Sequence, residues 1–306
     1  MTQVTTPPAS EPAYTFHRWR WLWVWLLLVG TAALLTGAVA ATLNTVMVPA
    51  MLLFGALSGP IAFSTFVGDR ADVDKSVSIF DMIMIVLFGG ALGVLLAGTL
   101  NTILIKQPTL TSIWLAGPIE ESTKLILPVA LYLLGRRYRS VQAGLVLGLA
   151  SAAGFSILET MGYGFNEVIK AGALFTSPGP LQGADRLELV KDFVAGGRTP
   201  IVRGLITPFG HLVWTGLITT VWWSEWQKHG GIRITRSVVG VLVLVMFLHS
   251  ANDFVEFAPN LLPGVPWASM LLLGVPIIFI LSFVFFWRTV KKHVPMKEYG
   301  KLLHRK

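Results

Sequence analysis

Apolar residues are gathered into long blocks along this chain, separated by short segments that carry most of its cations. The first block runs from Trp21 to Leu43, and further blocks occupy 47–67, 79–105, 111–134, 141–166, 204–226, 237–257 and 266–287. Each is near or above the ~20 residues that cross ~30 Å of hydrocarbon at 1.5 Å per residue. The second is the weakest, being interrupted by Pro49, Gly55, Gly59 and Pro60. The pattern predicts an all-α, polytopic membrane helical bundle of about eight transmembrane helices, and no internal repeat is evident.

Residues 1–18, rich in Thr, Pro and Ala, read as a disordered cytoplasmic tail, 19–288 as the transmembrane domain and 289–306 as a basic cytoplasmic tail. Ala38-Val39-Ala40 resembles a signal-peptidase site. The run before it exceeds the ~7–15 residues of a signal h-region, so it is read as a retained span. An extracytoplasmic loop is expected at 167–203. Within it Leu187, Val190, Phe193 and Val194 fall at helical spacing, which suggests a helix on the membrane surface or a lid.

Charge placement orients the bundle. With the amino terminus inside, about 17 Lys and Arg fall on the cytoplasmic side and 6 on the other, so both termini are expected to be cytoplasmic. Trp19, Trp21, Trp23 and Trp25, with Trp222, Trp223, Trp226 and Trp287, form an aromatic belt at the same interface. Hydrophobic residues make up 54% of the chain and charged residues 13%, with mean hydropathy +0.67, which excludes an ordinary soluble domain. The net charge of +8 sits beside the apolar blocks and gives no reason to expect nucleic-acid binding. Cysteine is absent, which excludes disulfides, a thiolate nucleophile and Cys-ligated zinc.

Against this apolar background a few ionisable groups stand out: Glu120, Glu121 and Lys124, then Glu159, His211, and His249 with Asp253. Such groups are costly in hydrocarbon and mark function by default. Counted from the ends of their predicted spans, Glu120, Glu159, His211 and His249 all lie roughly 9–14 Å below the outer boundary. One polar pocket is therefore expected. Glu120 and Glu121 project about 100° apart on a helix, Lys124 shares the face of Glu120, Phe155 that of Glu159, and His249 that of Asp253. Two histidines plus carboxylates suit zinc binding or general acid–base catalysis. There is no H-E-x-x-H, G-x-S-x-G or thiol, so hydrolysis here would need a carboxylate to activate water.

The ordered set E-E-x-x-K at 120–124, F-x-x-x-E at 155–159, His211 preceded by Arg203, and H-x-x-x-D at 249–253 resembles the PrsW family of intramembrane proteases. It is more distantly similar to the CAAX-protease and bacteriocin-immunity (Abi) superfamily. The resemblance implies cleavage of a membrane-anchored protein, such as an anti-sigma factor, near the outer face of a bacterial cytoplasmic membrane. It implies Glu121 or Glu120 as the base, Glu159 and His211 positioning water or metal, His249 polarising the carbonyl or acting as a ligand, and Asp253 orienting His249. It also implies a divalent metal, with zinc on His211, His249 and Glu159 the expected set, beside a metal-free carboxylate mechanism. Two other classes share these features: a proton-coupled transporter, and a non-catalytic immunity or scaffold protein.

Overall fold

The structure, a computed structural model, describes residues 19–73, 77–170, 184–262 and 273–297. Helices α1 (Arg20–Thr42) and α2 (Val48–Arg70) are followed by α3 (Ile79–Met84) and α4 (Gly90–Leu104), which a π turn at Ile85–Gly89 joins into one rod. Next come α5 (Ala116–Leu134) and α6 (Val141–Lys170). Helices α7 (Ala184–Thr207) and α8 (Val213–Lys228) are continuous through a second π turn, Pro208–Leu212. Helices α9 (Arg236–Leu261) and α10 (Gly274–His293) complete the bundle. Among the described residues there is no strand, only an isolated bridge between Ala71 and Met296.

The chain is thus an all-α polytopic bundle, as its apolar blocks predict. Among the described residues, seven helices are long and apolar enough to span a membrane. The difference from eight lies in α5, which has 19 residues but carries Glu120, Glu121 and Lys124. The other difference is in the segment expected as a loop. Helix α6 continues to Lys170, and residues 184–203 begin a rod whose apolar part, Leu187–Lys228, has 42 residues. At 1.5 Å per residue that is about 63 Å, twice the hydrocarbon thickness. Its first turns pack within the bundle: Leu189 and Phe193, one turn apart, are buried against Val39, Val48, Met51, Leu52 and Val168, while Leu187 and Val194 are exposed.

Helix α6 forms the axis. Its apolar window is the most buried of the seven, and the small residues Gly144, Gly148, Ser151, Ala152 and Gly154 let neighbours approach closely. Prolines inside helices leave carbonyls without their usual donors, and packing answers them. Pro128 cannot donate to the Lys124 carbonyl, which instead accepts from Ser151 Oγ of α6 at 2.7 Å. Pro208 likewise leaves the Gly204 carbonyl, against which Gly59 of α2 packs so tightly that an added Cβ would fall 1.4 Å from its oxygen.

The ends rich in cations lie together. Arg20 pairs with Asp69, Arg137 with Asp81 at 3.1 Å, and the chain beyond α10 returns to α2, where Asp72 N donates to the Pro295 carbonyl at 2.8 Å and Lys297 N to that of Arg70 at 2.9 Å. Gly59→Ala is expected to destabilise the bundle by about 1–3 kcal/mol, because backbone must move to admit the methyl group. Thermal unfolding of the variant in detergent measures this, and an unchanged midpoint contradicts the close crossing.

Candidate functional site

Four helical segments converge on one chamber of about 240 Å³, lined by Glu120, Glu159, His211, His249 and Asp253 together with Tyr163, Arg203, Trp214, Asn252 and Glu256. Helix α5 reaches α9 through Gly117, where an added Cβ would lie 2.3 Å from the Met246 carbonyl oxygen. Beside it, Ser250 Oγ donates to the Trp114 carbonyl at 2.8 Å. This contact is one turn from both the glutamate pair and His249, which sets their separation.

Lys124 is fully buried. Its Nζ donates to Glu121 Oε1 at 2.8 Å and to His211 Nδ1 at 2.7 Å, and it stands 4.3 Å over the Phe155 ring. Glu120, the acid expected to pair with it, is farther away at 3.7 Å. Glu121 is equally buried and fully engaged: Oε1 also accepts from His249 Nδ1 at 2.8 Å, and Oε2 accepts from Thr215 Oγ1 at 3.0 Å. The two adjacent acids therefore differ in role. Glu120 lines the chamber, whereas Glu121 lies behind it and braces three neighbours.

The network assigns the imidazole tautomers. Lysine only donates, so His211 Nδ1 accepts, and Nε2 carries the hydrogen toward Glu159 Oε2 at 3.2 Å. A carboxylate only accepts, so His249 Nδ1 carries the hydrogen and Nε2 faces the chamber. The two rings are 5.4 Å apart, with Trp214 4.8 Å from His249 and Phe155 5.6 Å from His211. Trp214 is itself anchored by Nε1 donating to Ser282 Oγ at 3.0 Å. Arg203 donates to Glu159 Oε2 at 3.1 Å and stacks over Tyr163.

His249 Nε2 is 3.4 Å from Glu120 Oε2 and 3.7 Å from Asp253 Oδ2, while Glu120 Oε2 makes no hydrogen bond. Three lone-pair atoms converge there, and a shared proton or a metal cation removes their repulsion. Donor atoms of Glu120, His211 and His249 lie within 4.8 Å of one another, so this group fits a metal ion. The carboxylate differs from the expected Glu159, which is held by His211 and Arg203. Both nitrogens of His211 also have partners, so its ligation exchanges the Glu159 contact.

The structure brings together every residue singled out from the sequence: Glu120, Glu121, Lys124, Phe155, Glu159, Arg203, His211, His249 and Asp253. Sequence reasoning missed Thr215, Tyr163, Asn101 and Ser151. Two had a legible signal, Thr215 lying four residues beyond His211 and Tyr163 four beyond Glu159. Asn101 Nδ2 donates to Glu120 Oε1 at 3.3 Å from α4, a contact that only tertiary packing creates.

A polytopic helical bundle enclosing a chamber of acids and oppositely oriented imidazoles holds the groups that acid–base chemistry within a membrane requires. The description of the PrsW family of intramembrane metalloproteases matches residues 80–286, more than half of the chain, and the protein belongs to that family. No curated protein and no solved structure matches it.

Thr215→Val is expected to strip the buried Glu121 Oε2 of its donor at a cost of about 1–3 kcal/mol, with Thr215→Ser restoring most of it. Chemical or thermal unfolding of the pair reads the difference. Equal stability of the valine variant contradicts the assigned bond.

Proposed function

We propose that this protein hydrolyses a peptide bond of a membrane-anchored protein, of the anti-sigma-factor kind, near the extracytoplasmic face of a bacterial cytoplasmic membrane. Glu120 is the base. The observation that carries this is the contrast within the glutamate pair: Glu120 Oε2 faces the chamber without a hydrogen bond, while both Glu121 oxygens are engaged.

In this reading Glu120 Oε2 takes a proton from water as the oxygen attacks the scissile carbonyl carbon. His211 turns its Nε2–H from Glu159 Oε2, which keeps Arg203 as a partner, to the developing oxyanion, while Lys124 holds the ring at Nδ1. The proton taken up by Glu120 passes through His249 Nε2, which lies between Glu120 and Asp253, to the departing amide nitrogen. Glu121 orients His249, a role first expected of Asp253, and Asp253 is left to hold that proton. The family description implies a metal, and Glu120, His211 and His249 are the residues that fit one. A divalent ion with two nitrogen donors and one oxygen donor, zinc by type, would supply Lewis-acid polarisation there.

Glu120→Gln is expected to lower kcat by ~10²–10⁴-fold while unfolding like the unaltered protein. Glu121→Gln is expected to lose about 3–5 kcal/mol of stability, because Lys124 loses its ionised partner. Reconstituted protein with a membrane-anchored reporter substrate tests both. Wild-type turnover by Glu120→Gln would remove the assigned base. Metal analysis with and without chelator then separates two roles for Glu120: cleavage by metal-free protein leaves it as base alone, and loss of cleavage makes it a ligand.

Topology follows the charge count, with both termini and the Arg136–Arg139 turn cytoplasmic. The pairing of Arg20 with Asp69 and of Arg137 with Asp81 supports a common side for these ends. A reporter fused after residue 139 is expected to be active only if it is a cytoplasmic one, and activity of a periplasmic reporter there reverses the orientation.

A further inference from the structure

At the cation-rich end of the bundle, remote from the chamber in the chain, the ends of α8, α9 and α10 enclose a separate cavity of about 560 Å³. All three helices sort their lining residues in the same order along the helix axis. On α8, Ser224 and Lys228 lie at the end and Val221 one turn deeper. On α9, Ser237 lies at the start, with Val241 and Leu244 deeper. On α10, Arg288, Lys292 and His293 lie at the end, with Phe285 one turn deeper. Gly240 keeps the α9 wall open, because a Cβ there would meet nothing within 4 Å.

Among the described residues these charges are not balanced by carboxylates. The one acid in the lining, Glu225, is already taken, since its two oxygens accept from Lys228 Nζ at 2.7 Å and Thr235 Oγ1 at 2.9 Å. His293 Nδ1 is bound to Ser224 Oγ at 2.8 Å, which ties α10 to α8 across the cavity. Arg288 and Lys292 have no carboxylate partner among the described residues. Arg288, Lys292 and hydroxyls at the rim, with aliphatic and aromatic walls below, match an amphiphile whose head is anionic. Phe285 and Leu244 are exposed toward the surrounding apolar phase, so a chain can leave the cavity sideways.

We propose that this cavity binds an anionic phospholipid, with its phosphate on Arg288 and Lys292 and an acyl chain along Phe285, Leu244 and Val241. The lipid joins the three helices that carry or support His211, His249 and Trp214, and so it stiffens the frame of the chamber from its far end. The site stands whether or not the catalytic reading does.

The test uses the full chain in neutral detergent, followed by native mass spectrometry and thermal unfolding. Dioleoylphosphatidylglycerol is expected to remain bound one-to-one and to raise the midpoint by several degrees, whereas dioleoylphosphatidylcholine and glycerol 3-phosphate are not. Arg288→Gln/Lys292→Gln should weaken phosphatidylglycerol binding by about tenfold or more. Arg136→Gln/Arg233→Gln, which removes two exposed cations from the same end outside the cavity, should leave it unchanged. The proposal is overturned if phosphatidylcholine binds as well, if glycerol 3-phosphate alone reproduces the shift, if the cavity variant keeps its affinity, or if both double variants lose it equally.

Discussion

The buried ammonium of Lys124 is the charge around which the chamber is organised. With no exposure to solvent it needs partners from several directions, and it takes them from three elements: Glu121 on its own helix, His211 on the π turn and the Phe155 ring on α6. An unpaired ammonium in such surroundings would cost several kcal/mol. Because lysine can only donate, it obliges His211 to accept at Nδ1 and so to present N–H at the other nitrogen. Glu121, recruited to neutralise it, holds His249 in the opposite tautomer. One positive charge thereby decides what both imidazoles offer to a substrate.

Backbone chemistry makes that convergence geometrically available. Glycines at 59 and 117 bring helix axes within reach of a neighbour's carbonyl oxygen, and prolines at 128 and 208 remove donors that other elements then replace or pack against. Residues that would weaken a helix in water serve here as packing devices, since the bilayer gives no hydrophobic drive for helix association.

Much of this could be read without coordinates. Hydropathy located the helices, and counting rise per residue placed Glu120, Glu159, His211 and His249 at a common depth, which is why they meet. The division of labour between Glu120 and Glu121 could not be read, because it depends on Thr215 and His249 arriving from other helices. The same holds in part for the rod beginning at Ala184. The spacing of Leu187, Val190, Phe193 and Val194 made its first turns legible as a helix, but only the burial of Leu189 and Phe193 against α1 and α2 shows which face is inside. Helix α5 falls short of a fully apolar span for a related reason: Glu120, Glu121 and Lys124, which it brings to the chamber, also lower its hydropathy.

The π turn at Pro208–Leu212 has a consequence for how this rod can vary. It is equivalent to one residue inserted into an α-helix, so everything on either side is offset by about 100° from an uninterrupted helix. That phase offset lets Arg203 on one side reach Glu159 in the chamber and Thr215 on the other reach Glu121 behind it, with His211 between them. Loss of a single residue here would restore regular winding and swing one of the two faces away. The length of this stretch is therefore as tightly constrained as the identity of its histidine.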